Sequence, residues 1–311
     1  MALGAGDVGH RVVVRRIVGV RDNRPIFSDV LGRLTEAGET HLTVQTSGGP
    51  VTVARSAIAR AKRVPDKRAL TATESLERVT AAGWPAPGLE HLGDWLLRAA
   101  GGWTNRGNSA LAIGDPGRPL VEAVDAVEAW YHARGLRPGV MVPSPVGGRV
   151  AAELARRDWR PQPRVLVQAA ELTAFARMEP EVRLDPAPSE AWLAVVAGRK
   201  GSLPAAARHI LTAVPQVRFA SVNRDDGALV ATARGAVADD GHWLGVSLVE
   251  VASTHRRQGL GRAVTAALGA WALDLGAERA YLQVEEHNTA AVALYGSLGF
   301  TTHHTYQTWN P

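Results

Sequence analysis

Along the first 64 residues, apolar and polar positions alternate in short β-rich runs, and after that the rhythm lengthens. The runs are His10–Val20, Ile26–Leu34, His41–Gln45, Val51–Ala54 and a last one at Ala61–Val64. Turn-forming clusters at Arg21–Pro25, Glu36–Gly38 and Gly48–Pro50 separate them. Five short strands without a helical period predict a small all-β barrel, with Ser56–Ile58 as a 3₁₀ step.

From residue 70 onward, helical and strand patterns take turns. Thr73–Ala82 reads as a helix capped by Thr71 or Thr73. Trp95–Ala100 and Ser109–Ile113 read as strands flanking Gly101–Gly107. Leu120–Arg134 is a helix stopped by Gly135, Val140–Val142 a strand, Val150–Arg157 a helix and Val165–Ala169 a strand. This alternation predicts an α/β sheet. A proline-bearing stretch, Glu179–Glu190, separates it from helical segments at Ser189–Ala197 and Pro204–Leu211. A three-strand meander follows: Val217–Val222, Ala228–Ala238 and His242–Val251, with Asp-Gly turns in Asn223–Gly227 and Asp239–Gly241.

The meander runs into Arg256-Arg-Gln-Gly-Leu-Gly261, and the helical period begins at once. Leu260, Ala263, Val264, Ala267, Leu268, Trp271 and Leu275 form one apolar face, and Gly276 ends it. A cationic loop with two glycines at a helix N-terminus points backbone N–H groups and positive potential at one spot, which suits a phosphate. A strand Tyr281–Val284, then Glu285–Asn288, then a short helix Thr289–Leu298 complete the stretch.

In order and spacing, Val249-Glu-Val251, Arg256–Gly261, Leu282–Val284, Asn288 and Leu294-Tyr295…Leu298-Gly-Phe300 resemble the GNAT superfamily of N-acetyltransferases over roughly residues 185–311. The resemblance implies a mixed α/β fold in which a sheet is flanked by helices. It also implies acetyl-CoA as cofactor and direct transfer of the acetyl group to an amine. The backbone amides of Arg256, Arg257, Gln258, Gly259, Leu260, Gly261 and Arg262 would hold the pyrophosphate. Val249, Glu250 and Val251 would run beside the pantetheine arm, Val251 N–H polarising the thioester carbonyl. Asn288 would bind the same arm, unless it serves only as an N-cap, and Tyr295 would protonate the departing thiolate. Where many members carry a base glutamate this chain has Gly245. Glu250 is the favoured substitute, with Glu285 or an ordered water chain as alternatives. No metal is expected from His287, His303 and His304.

Shifted by 141 positions, residues 100–160 overlay this region: Trp130 falls on Trp271, Gly135 on Gly276 and Trp159 on Phe300. This suggests a tandem pair similar to mycothiol synthases. Arg256–Gly261 then maps to Asp115-Pro-Gly-Arg-Pro-Leu120, which lacks both glycines and adds two prolines. Tyr295 maps to Leu154. The first copy is therefore expected to be degenerate and to form a wall of the acceptor cleft, with Trp103, Asn105 and Arg106 as candidate contacts. The expected domains are an SH3-like barrel at 1–67, a degenerate GNAT-like domain at 68–178 and a catalytic one at 179–311, with a first linker at Val64–Arg68.

Composition adds a little. The chain of 311 residues has no cysteine, which excludes disulfides and a thiol nucleophile. Its formal net charge is +5, and residues 1–68 alone carry a net +6, from 12 basic and 6 acidic residues. A basic barrel is compatible with nucleic acid or an acidic partner, although Phe27 is its one aromatic and base stacking needs more. It is also compatible with a protein-lysine acceptor of nucleoid or histone-like type, which is slightly favoured over a small amine. A non-catalytic acyl-CoA-binding regulator is the alternative. No basic segment followed by an apolar run opens the chain, so a cytoplasmic location is expected.

Overall fold

The computed structural model describes residues 3–21, 24–46, 48–64, 70–239 and 241–311. Parts of the expected turns at Arg21–Pro25 and Asp239–Gly241, and most of the Val64–Arg68 linker, lie outside the described residues. The chain divides into two compact units, residues 1–71 with 117–122, and residues 72–116 with 123–311.

In the first unit five antiparallel strands, β1 (Arg11–Arg21), β2 (Arg24–Ala37), β3 (His41–Thr46), β4 (Gly49–Ala54) and β5 (Ile58–Arg63), lie in the order β4-β3-β2-β1-β5. The period-two alternation sends Val12, Val14, Val30, Leu34, Leu42, Val44 and Val53 into one small core. Among the described residues β4 and β5 form no ladder, so the barrel is not closed. The cause is the connection between them, a three-residue 3₁₀ turn, Arg55–Ala57, that redirects the chain instead of folding it back as a hairpin. Several arginines are tied up internally: Arg15 forks onto Asp29 at 2.8 Å, Arg63 pairs with Asp7, and Arg55 donates to Gly38 O and Leu3 O at 2.8 and 3.0 Å.

The second unit holds one sheet. Helix α1 (Ala72–Ala82) leads to β6 (Gly88–Leu92), β7 (Trp95–Ala99) and β8 (Ala110–Leu111). Then come α2 (Leu120–His132), β9 (Val140–Ser144), α3 (Gly148–Arg156), β10 (Arg160–Pro161) and β11 (Val165–Glu171). The next elements are β12 (Arg183–Asp185), α4 (Glu190–Lys200), α5 (Ala205–Thr212), β13 (Gln216–Asn223), β14 (Leu229–Ala238) and β15 (Trp243–Val251). The chain ends with α6 (Leu260–Asp274), β16 (Arg279–Glu285), α7 (Thr289–Gly296) and β17 (Thr301–Asn310). The sheet order is β12-β13-β14-β15-β16-β11-β17-β9-β8-β7-β6, with β10 beside β17.

This order has an internal symmetry. A shift of 141 carries residues 120–132 of α2 into α6, 140–144 of β9 into β16, and the start of α3 onto the start of α7. Parallel pairs β8–β9 and β15–β16 correspond, and in each an antiparallel neighbour precedes. The last strands are exchanged. β11, from the earlier stretch, pairs with β16 of the later one, while β17 pairs with β9, and β11 and β17 pair with each other at the centre. The expected boundary at 178/179 thus falls within one continuous sheet.

On one face of the sheet, Ala231, Ala233, Leu244, Val246, Ala280, Leu282 and Val284 pack against α6 and α7. On the other, Tyr281, Val167, Met141 and Tyr306 pack with Leu76 and Val79 of α1. Alternation along a strand buried on both faces produces this division. Arg234 of β14 is fully buried and acts as a clamp. It donates to Leu211 O and Ile210 O at the end of α5 (2.9 and 3.2 Å) and to Gly83 O just past α1 (3.2 Å), so two helix C-termini are satisfied by one guanidinium. Burial lowers its pKa to about 10. Trp84, next to Gly83, is thereby fixed over the sheet.

Candidate active site

The site begins where two parallel strands part. β15 and β16 pair from Trp243/Arg279 to Val246/Leu282 and no further. At the same point β15 carries a bulge: Ser247 opposes Arg234 and Glu250 opposes Thr232, so three steps on one strand match two on the other. Leu248 takes the strain with φ +55°. The β15 backbone from Ser247 onward therefore lines a gap instead of a ladder, and a cavity of about 240 Å³ occupies that gap. Val246, Ser247, Leu248 and Val249 line one side, Leu282, Gln283, Val284 and Glu285 the other, and Asn288, Ala291 and Tyr295 close one end. Trp84, Thr104, Asn105, Arg106, Val165, Arg199 and Tyr306 complete the wall.

The cationic loop follows β15 directly. Ser253–His255 form one 3₁₀ turn, after which Arg257 (φ +63°) and Gly259 (φ +81°) are left-handed. Glycine suits its position, because a Cβ at φ +81° is strained although nothing lies within 4 Å of it. These two bends turn successive N–H groups toward one concavity, and the first amides of α6 have no partner within the helix. Gly261 lets α6 approach α7, since a Cβ there would stand 3.1 Å from Leu294 Cδ2. Arg256 is exposed and contacts only Val251 O, at 3.4 Å, among the described residues. Gln258 accepts from Arg224 at 2.8 Å, and Arg262 ties α6 to the end of α7 through Ser297 Oγ at 2.7 Å. Leu260 sends its side chain into the core, leaving only its amide to the loop.

Asn288 caps α7, its Oδ1 accepting from Ala291 N at 3.2 Å, and it also lines the cavity. Tyr295 lies two turns on, 8% exposed, edge-on to Phe300 at 5.9 Å. Burial pushes its pKa up to about 12, against a smaller opposing pull from Arg199. Its hydroxyl makes no hydrogen bond to protein among the described residues.

The carboxylates divide in a way the sequence could not give. Glu250 forms an ion pair with Arg199 of α4, without a hydrogen bond of ordinary geometry at Oε1, and it does not line the cavity. Glu285 does, and is the one carboxylate among the lining residues; His287 lies 3.1 Å from it. At Gly245 the Tyr281 hydroxyl sits where a side chain would begin, so an acidic residue there would collide with it. His304 is buried against Glu77 at 2.7 Å and His303 lies beside it at 2.9 Å, both apart from the cavity wall.

Of the three first-copy residues expected at the cleft, Asn105 and Arg106 line it and Trp103 does not. Trp103 is buried and stacks on Trp84 with centroids 5.6 Å apart. The lining residues Trp84, Arg199, Gln283 and Tyr306 belong to no motif; only the alternation in Tyr281-Leu-Gln-Val hints that Gln283 opposes the core face. In the first copy the start of the anion loop's counterpart is already bonded within the protein. Gly114 N donates to Glu74 Oε1 at 3.1 Å and Asp115 N to Asp94 Oδ2 at 2.9 Å. The β8–β9 ladder is shorter still, ending after two pairs at Leu111/Met141.

A mixed sheet whose central parallel strands splay beside a glycine-bearing helix N-terminus defines a GNAT-type acyltransferase. The family model described as "Probable histone acetyltransferase Rv0428c C-terminal" matches residues 71–309. The chain belongs to this family of GNAT N-acetyltransferases. It is 32% identical to the "Probable histone acetyltransferase Rv0428c" of Mycobacterium tuberculosis (strain ATCC 25618 / H37Rv) over 315 residues, 96% of this chain and 93% of that protein. It is 31% identical over 240 residues to the "Uncharacterized N-acetyltransferase YobR" of Bacillus subtilis (strain 168), 73% of this chain and 93% of that one. Among solved structures, a GCN5-related N-acetyltransferase from Kribbella flavida shares the fold with a TM-score of 0.60 at 19% identity, over 78% of this chain and 96% of that one. Among the described residues no helix is long and apolar enough to cross a membrane.

Proposed function

We propose that the enzyme transfers an acetyl group from acetyl-CoA directly to an amine that enters from the Trp84–Arg106 side of the cavity. The observation that carries this reading is the gap beyond Val246/Leu282, filled by a cavity of about 240 Å³ on the strand that leads into the Arg256–Arg262 loop. The residues fit the cofactor. The loop amides of Arg256–Arg262 would take the pyrophosphate. The β15 edge from Val249 to Val251 and the free Nδ2 of Asn288 would take the pantetheine arm. Bound there, acetyl-CoA would supply the acetyl thioester.

The chain's own groups then have defined tasks. Val251 N–H stands at the free edge of the bulged strand, where an oxyanion donor is needed. Tyr295 holds its proton across the neutral range, as a general acid for a thiolate must. The attacking amine has to lose a proton. Glu285 lines the cavity and is better placed to receive it than Glu250, whose charge is held by Arg199. A protein-lysine acceptor is supported by the name of the mycobacterial relative and by the basic first unit. The enclosed wall supplied by Trp84, Thr104 and Tyr306 favours a small amine instead.

Thiol release from acetyl-CoA over a panel of amines and lysine peptides tests the reading. Turnover with at least one acceptor is expected. Tyr295→Phe should lower kcat by about 10²-fold or more, and Glu285→Gln should cost more activity than Glu250→Gln. Tight coenzyme A binding with no turnover on any acceptor would favour the regulator instead.

A further inference from the structure

Two cations, both arginines, stand in the wall at the acceptor end of the cavity. Arg199 faces Glu250, so its charge is met within the protein. Arg106 has no carboxylate partner among the described residues. Its guanidinium lies flat over the Trp84 ring, 4.4 Å from the centroid, and donates from one nitrogen to Gln283 Oε1. Tyr306 donates to the same oxygen at 3.2 Å.

That shared oxygen fixes which way the Gln283 amide points. A guanidinium can only donate, so the atom facing Arg106 must be the carbonyl oxygen and the NH₂ group must turn the other way. Gln283 Nε2 is buried and has no hydrogen-bond partner among the described residues. An orphaned buried donor is costly and calls for an acceptor from elsewhere. The remaining N–H groups of the half-buried Arg106 guanidinium stand on the same wall. Trp84 Nε1 is already used on Thr104 Oγ1 at 3.2 Å and cannot supply an acceptor. Opposite in sign, Glu285 is the sole lining carboxylate. The wall thus carries one uncompensated cation with an idle amide donor beside it, and one anion.

We infer that the acceptor is a small amine that also bears a carboxylate, an amino-acid-like molecule. Its acid group is held by Arg106 and Gln283 Nε2, and its ammonium is drawn to and deprotonated by Glu285. This rests on the acetyl-transfer reading above and narrows its acceptor. It runs against a lysine within a peptide, which brings an amine on an aliphatic stem and no carboxylate. In the step itself the amine nitrogen forms a bond to the acetyl carbon and the carbon–sulfur bond of the thioester breaks. Glu285 takes the ammonium proton and releases it to solvent, Tyr295 protonates the departing thiolate, and the second proton shed by the nitrogen restores Tyr295.

The test compares each amino acid with its amide and with the matching decarboxylated amine, on the full chain with acetyl-CoA. The acid-bearing member is expected to have a kcat/KM about 10–100-fold higher than its neutral counterparts. In Arg106→Gln that ratio should fall to near one, mostly through KM. If Arg106→Gln fails to fold, Arg106→Lys retains the charge and should keep a preference of intermediate size. Equal turnover of the acid and its amide overturns the inference while leaving acetyl transfer intact, as does faster turnover of lysine peptides. A rise in the coenzyme A Kd of Arg106→Gln that matches its loss of turnover also overturns it, by assigning the guanidinium to the donor. No thiol release with any amine would overturn the acetyl-transfer reading itself.

Discussion

The exchange of β11 and β17 makes a strong demand on the catalytic half, which can be tested by cutting it out. A fragment of residues 179–311 contains the Arg256–Arg262 loop, Asn288 and Tyr295, yet lacks the strand that stands between β16 and β17. In the full chain β11 forms seven residue pairs with β16 and five with β17. It and the turn after it also bury Val167, Leu172 and Phe175, the last 5.1 Å from the Phe300 ring. Roughly ten ladder hydrogen bonds at about 0.5–1.5 kcal/mol net each would be lost. Three buried apolar side chains at about 1.5–3 kcal/mol each would add to that. The residues left behind would still have to be ordered, so their own entropic cost is not relieved. The sum, on the order of 10 kcal/mol or more, matches the whole stability of a typical domain. Fragment 179–311 should therefore show no cooperative thermal transition by far-UV circular dichroism and a collapsed amide NMR spectrum. Fragment 72–311, which retains every strand of the sheet, should show both a transition and dispersed signals. A cooperative melt of 179–311 within a few degrees of the longer fragment would refute the argument that β11 is integral to the catalytic half.

Two further outcomes are expected. Calorimetric titration with coenzyme A should give one site per chain, because the first copy's loop carries two prolines and its Asp115 N already donates to Asp94; two tight sites would contradict this. Stability should be steady through neutral pH and fall between about pH 10 and 12. Burial raises Tyr131, Tyr295 and Tyr306 each to about 12, so the folded chain holds protons that the unfolded chain releases above its ordinary tyrosine pKa. With about 2–3 kcal/mol per tyrosine at stake, urea midpoints at pH 9 and pH 11 should differ clearly, and Tyr295→Phe should reduce the difference. Identical midpoints would refute the assignment.

Much of the architecture can be read from local pattern. Residues 260–274 fold as the apolar rhythm demands, because a helix that buries one face announces it every three or four positions. The glycines and arginines of the loop announce themselves too, since an anion-holding turn needs backbone amides without Cβ atoms in the way. Asn288 shows why one residue can satisfy two readings: it caps α7 with its oxygen and still faces the cavity. The small strands of the first unit were equally plain, but their failure to close was not, because it depends on how a three-residue 3₁₀ turn aims β5.

The acceptor end was hidden for a different reason. Arg106 and Asn105 could be named from the degenerate copy, but Trp84, Arg199, Gln283 and Tyr306 come from four separate stretches and share no spacing. Their meeting depends on Arg234 anchoring Gly83 and on β17 crossing to the other copy's edge. The choice between Glu250 and Glu285 was likewise not local, since it turns on Arg199, some fifty residues away in sequence. The sequence by itself pointed to the donor side, because phosphate and pantetheine would be held largely by backbone whose course is set by glycines, caps and periodicity. Only the tertiary structure decided the acceptor side, because the charge and hydrogen-bonding capacity of that wall exist only after distant side chains have paired off, leaving, among the described residues, Arg106 without a carboxylate and Gln283 Nε2 without a partner.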